Sequence, residues 1–163
     1  MSGERLVELR RDLDAAREDL SAALAGADPT LLTVPGLVGT WSARELVAHL
    51  AHWADWASTC LEAAVAGGLE GLASDNWDVD GQNADVADEV ASLTMSAVRD
   101  REAASYERLV ERLAGLDPAL LGMPAPWGGT VEDIVIENGP GHYAEHAEHV
   151  RAWFSGDADE DDD

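Results

Sequence analysis

Between residues 5 and 24 the apolar side chains Leu6, Leu9, Leu13, Ala16, Leu20 and Ala23 recur at alternating steps of three and four. Such steps gather them on one stripe of an α-helix, and a strand, whose faces repeat every two residues, cannot use them. Gly26 and Pro29 end this helix. After a loop over residues 35–40, Ser42 with Glu45 three positions on has the form of a capping box, opening a second helix that runs to about Ala66. Gly67-Gly68 and the Asp-, Asn- and Gly-rich residues 71–82 read as a long surface connection to a third helix from about Asn83 to Leu113, with Val86, Val90, Leu93, Ala97, Leu109 and Leu113 on its stripe. A Pro-rich loop follows Gly115, and Thr130 with Asp133 opens a fourth helix at Val131, Ile134 and Val135. Asn138-Gly139-Pro140-Gly141 interrupts it, because Pro140 has no N–H and clashes with the preceding turn. The pattern resumes from His142 to Phe154, which puts His142 in the first turn of a new helical piece.

No strand-like alternation occurs anywhere, so the expected fold class is all-α, a four-helix bundle with loops long enough for crossovers. At 163 residues the chain fits one domain. We place the bundle at residues 1–155 and a disordered, solvated tail at residues 156–163, where six acids crowd the last seven positions.

Charge narrows the function classes. The chain has 33 Asp+Glu against 10 Lys+Arg, all ten of them Arg, for a formal charge of −23. That field repels a phosphate backbone, and nucleic acid is excluded as an expected partner on this ground. The acidity itself reads equally as adaptation to concentrated salt or as a device for solubility. Cys60 is the single cysteine, so no internal disulfide forms, and the first residues lack the basic and apolar regions of a secretory signal, for an expected cytoplasmic location. Charged or polar residues interrupt every apolar run before the ~20 residues a bilayer needs, so no membrane partner is expected. The expected partner is a small-molecule substrate, bound by a monomer or homodimer.

The five histidines fall in two clusters: His49 and His52 in the second helix, and His142, His146 and His149 in the last. At ~100° per residue His142 and His146 lie one turn apart on one face and can reach a single ion. His149 is nearly two turns beyond His142, too far along the axis to share that ion, and suits a supporting or surface place. His49 lies beside Leu46, Leu50 and Trp53 on the apolar stripe and can project inward, whereas His52 is turned to the flank. An ordinary packed or solvated histidine accounts for each of these equally well until a third ligand joins the pair. Trp41, Trp53 and Trp153 suit a core. Trp77 and Trp127 stand in loops beside Gly, Pro and Asp, where an aromatic can wall a pocket mouth. Arg151 suits a surface ion pair with Glu148, with a substrate carboxylate as the alternative, and Cys60, with no basic neighbour, an inert buried thiol.

The stretch Thr40-Trp41-Ser42-Ala43-Arg44-Glu45-Leu46-Val47-Ala48-His49-Leu50-Ala51-His52-Trp53 resembles the helix-two signature of the DinB/YfiT-like four-helix bundles. His142-Tyr143-Ala144-Glu145-His146, followed by Val150-Arg151-Ala152-Trp153, resembles their ending. The Asn83 start of the third helix and Thr130-Val131-Glu132-Asp133 fit the same pattern. Within that superfamily the likeness is greatest to ClbS/DfsB-like and mycothiol-dependent isomerase-like bacterial members. The resemblance implies a divalent metal, Zn²⁺ or Ni²⁺ by the preference of imidazole nitrogen, held by His49, His142 and His146. Maleylpyruvate isomerases carry Glu where His142 stands, so the resemblance is to the three-histidine branch. Many relatives carry Glu after the helix-two Trp, where this chain has Ala54 and then Asp55. The function implied is a metal-dependent enzyme that activates water or a low-molecular-weight thiol for attack on a small electrophile, a hydrolase or thiol S-transferase of detoxification. Candidate pocket residues are Trp77, Trp127, Arg151, His149 and His52. The alternative is a non-catalytic metal- or ligand-binding bundle.

Overall fold

The computed structural model describes residues 2–156. Six α-helices make up the fold: α1 (Ser2–Ala25), α2 (Ala43–Ala66), α3 (Val79–Val90), α4 (Met95–Ala114), α5 (Val131–Asn138) and α6 (Pro140–Ser155), with single 3₁₀ turns at Pro29–Leu31, Glu70–Leu72 and Pro118–Gly122. Among the described residues no strand forms, and no helix is long and apolar enough to cross a membrane. The expected all-α bundle is what the chain folds into; the proposed tail falls, apart from Gly156, outside the described residues.

The bundle is two helix pairs, α1 along α6 and α2 along α4, with α3 and α5 packed on α2. Leu9, Leu13, Ala16 and Leu20 of the α1 stripe are buried against Leu46, Leu50 and Leu61 of α2, Val98, Leu109 and Leu113 of α4, and Tyr143 and Val150 of α6 in one core. The expected capping box forms, with Ser42 N–H donating to Glu45 Oε2 at 3.0 Å, and the expected Thr130 cap is a capping box as well, with Thr130 N–H donating to Asp133 Oδ2 at 2.9 Å.

The third helix departs from expectation. It starts at Val79, not Asn83, because Asp78 accepts the Gly81 N–H at 2.9 Å and caps it four residues early. It also ends at Val90, and α4 begins anew behind Thr94, whose hydroxyl accepts the Ala97 N–H at 3.1 Å. Val90 and Val98 are both fully buried, so the apolar stripe continues across the break and conceals it. Arg44 Nη1 donates to the Leu93 carbonyl at 3.2 Å and satisfies one acceptor that the break exposes.

The break before His142 is present. Gly139 leaves helical geometry at φ −117°, ψ −107°, and Pro140 opens α6 at its first position. The two glycines are required by close approach: a Cβ on Gly139 meets Val135 O at 2.7 Å, and one on Gly141 meets Ile136 O at 2.9 Å.

Beneath the bundle surface lies a buried ion pair that no sequence spacing announces. Glu102 of α4 receives Arg17 of α1 at both oxygens, 2.8 and 2.9 Å, and the Tyr143 hydroxyl of α6 at 2.6 Å. The guanidinium lies 4.1 Å over the Tyr106 ring.

Candidate metal centre

α2 and α6 bring their histidines face to face. His49, from the α2 stripe, meets His142 and His146 from the first two turns of α6, and one ring nitrogen from each lies within 4.8 Å of the others. His49 Nε2 and His142 Nε2 stand 2.8 Å apart, and the His142 and His146 ring centroids 4.7 Å. The Trp41 indole lies 5.0 Å from the His49 ring and helps close the site to water.

Neighbours fix how these rings are turned. Asn83 Oδ1 accepts the Trp53 Nε1–H at 2.8 Å and His49 Nδ1 approaches the same oxygen at 3.1 Å, so Nδ1 carries the His49 proton and Nε2 presents its lone pair. His146 Nδ1 faces His149 Nδ1 at 3.0 Å, which leaves His146 Nε2 for the site.

Burial sets the charge. Loss of solvent lowers His49 to about 4. It takes His142 to about 3, helped by His49 and His146 beside it, and His146 to about 3, helped by His49 and His149. All three imidazoles are therefore neutral at pH 7, the form that ligates metal. A divalent cation fits this donor set. If His142 carries its proton on Nδ1, two lone pairs oppose each other at 2.8 Å; if on Nε2, the Nδ1 lone pair is buried without a donor, and that atom indeed has no hydrogen-bond partner. A cation held by the Nε2 atoms of His49 and His142 would remove that opposition.

The other expected site residues divide. His149 supports His146 from the exposed side of α6, as its height along the helix implies. His52 is turned away from the triad, with Nε2 3.1 Å from Gln82 Oε1. Trp77 and Trp127 wall a cavity of about 550 Å³ together with Trp53 and Trp56. Arg151 is not at this mouth: it pairs with Asp19 of α1 at 2.5 Å, because α6 lies along α1, so neither Glu148 nor a substrate carboxylate is its partner here. Asp55 accepts from Ser105 at 3.0 Å and holds to α4. Cys60 is fully buried, and burial pushes its thiol up to about 12, so it is inert at neutral pH.

Asn83 and Trp56 were missed as site residues by sequence reasoning. Trp56 had a signal, since it follows Trp53 by one helical step of three. Asn83 entered only as the start of the third helix, and nothing local pointed to its role, for its two partners lie 34 and 30 residues away.

The family model for the mycothiol maleylpyruvate isomerase N-terminal domain matches residues 13–137, a stretch that contains His49 and stops short of His142 and His146. No curated protein matches the chain. Among solved structures, an uncharacterised protein from Escherichia coli UTI89 superposes with a TM-score of 0.77 at 15% identity, covering 94% of each chain. The colibactin self-resistance protein ClbS, in complex with a dsDNA, gives 0.75 at 16%, covering 89% of this chain and 92% of that one. The sibling lethal factor precursor DfsB gives 0.73 at 14%, covering 93% and 96%. At such identities the likeness is one of fold, and it is the DinB/ClbS-like fold. The exclusion of nucleic acid drawn from net charge does not stand, because ClbS, a protein of this fold, is solved with duplex DNA bound. Net charge averages over the surface and is silent about a local patch.

Proposed function

The chain belongs to the mycothiol maleylpyruvate isomerase N-terminal domain family, and from that premise we propose that it is a metal-dependent enzyme acting on a small electrophile, as a hydrolase or thiol S-transferase of detoxification. His49, His142 and His146 hold one divalent ion, Zn²⁺ or Ni²⁺, through neutral imidazole nitrogen. The carrying observation is three neutral imidazoles from two helices, two buried and His142 half-buried, with ring nitrogens within 4.8 Å and no fourth protein ligand among the described residues. A structural zinc site is normally closed by four protein ligands, so three favour a site open to substrate. A divalent ion so held supplies Lewis acidity that makes water or a thiol nucleophilic near neutral pH.

The chain's own residues do the rest. Asn83 holds His49 with Nε2 inward, His149 does the same for His146, and the break at Gly139 sets His142 in the first turn of α6. Trp53 connects the site to the tryptophan-walled cavity through Asn83.

Elemental analysis of tag-free protein tests the reading first: one divalent ion per chain is expected, lost in His49→Ala and in His146→Ala and kept in His149→Ala. Full stoichiometric metal in both of the first two variants overturns the ligand set. Thiol-conjugation and hydrolysis assays on a panel of electrophiles then separate an enzyme, active only when metallated, from a metal- or ligand-binding bundle that turns nothing over.

A further inference from the structure

We propose that the tryptophan-walled cavity is a binding site for an organic cation, an aromatic or alkyl quaternary or protonated amine. This deepens the function proposed above, on which it rests only for calling that cation a substrate. Four indoles form the walls: Trp56 lies 4.7 Å from Trp77, tilted by 41°, and 5.9 Å from Trp127, tilted by 38°, and Trp53 stands 6.0 Å from Trp77 at 69°. Indole faces carry negative potential and attract a cation desolvated in the cavity they wall. Asp75 and Glu137 line the same space, and neither has an ion-pair partner among the described residues. No arginine lines it, and the chain has no lysine.

In a molecule whose arginines are so largely tied into ion pairs, two unpaired carboxylates beside four π-faces select positive charge and reject an anion. The cavity, at about 550 Å³, falls within the range that holds a drug-sized ligand. Trp77 and Trp127 are 44% and 47% exposed, a cost in apolar surface that an occupied cage explains. The Trp53–Asn83–His49 hydrogen bonds then place any such ligand one amide away from the metal centre. An acidic thiol cofactor meets no countercharge there, so the cavity takes the cationic part of a ligand and not an anionic one.

Benzyltrimethylammonium and its uncharged carbon isostere neopentylbenzene, with phenylacetate as the anion, test this in full-length protein at 0.15 M NaCl. Binding is read by calorimetry and by tryptophan fluorescence. The cation is expected to bind about tenfold more tightly than the isostere, with no phenylacetate binding. Trp77→Leu should weaken the cation about tenfold, and the double variant Asp75→Asn/Glu137→Gln should bring cation and isostere to within about twofold of each other. Equal binding of cation and isostere by the unaltered protein, no cation binding, or a preference that survives both variants overturns the proposal. Metal content measured on the same samples keeps the two readings apart: cation preference without metal leaves the cage and removes the enzyme, and metal without cation preference does the reverse.

Discussion

Asn83 is where the metal centre and the cavity meet, since one carboxamide oxygen serves both His49 and Trp53. Asn83→Leu strips two buried donors of their acceptor, and should lower stability by roughly 1–3 kcal/mol and metal affinity by ~10–100-fold. Asn83→Asp, which keeps an oxygen in place, should retain most of the metal; thermal melts and competition with a chelator of known affinity measure both. The histidines respond to acid in a defined sense. Their folded values of about 4, 3 and 3 lie below the unfolded value near 6.5, so the unfolded chain binds protons first and acid favours it. Their share of stability is complete above pH ~6.5 and is lost as pH falls through 4 toward 3. Chelator-treated protein should therefore melt progressively lower from pH 7 to pH 4, with a flatter profile in His142→Gln; an unchanged difference between the two across that range would count against neutral burial. His142 and His146 were legible because a step of four is local geometry, and His49 because it shares a stripe with leucines. Asn83 was not, since its place depends on how α3 is laid against α2.

Among the elements, the α5–α6 junction has the most to say. Gly-Pro-Gly announced the break in the sequence, because proline cannot lie inside a helix, whereas the break between α3 and α4 was hidden under a stripe that runs on from Val90 to Val98. There only the Thr94 cap marks the break, a signal weaker than proline. Arg151 failed for a related reason: its partner Asp19 lies on another helix, and helix pairing is not written in local spacing. Gly139→Ala forces a methyl to within 2.7 Å of the Val135 carbonyl and should cost about 1–3 kcal/mol while shifting α6 and its histidines. Both a lower melting temperature and weaker metal binding are expected. A variant that melts like the parent would show that the junction relaxes freely and that the glycine is incidental.

Across the molecule, −23 is a load of self-repulsion, six acids of it in the last seven residues and none of it net on α4, whose four acids match four arginines. Salt shortens its reach, with a Debye length of ~10 Å at 0.1 M and ~3 Å at 1 M. Melting temperature should rise between those concentrations of KCl, and a flat or falling trend would remove both the repulsion account and the high-salt reading of the composition. The surface pairs, such as Arg10–Asp14 and Arg112–Glu62, weaken in the same range, but exposed pairs are worth ~0–1 kcal/mol each and do not reverse the trend. The buried Glu102 behaves otherwise, for Arg17 and Tyr143 shield it from dissolved ions. Three helices, α1, α4 and α6, meet at that one carboxylate through Arg17, Glu102 and the Tyr143 hydroxyl, so the opening of any one of them costs it a bond to another. Opening is thereby coupled across the bundle, and the slow amide hydrogen exchange of these three helices is expected to proceed together, as one cooperative unit, with His142 and His146 of α6 carried inside it.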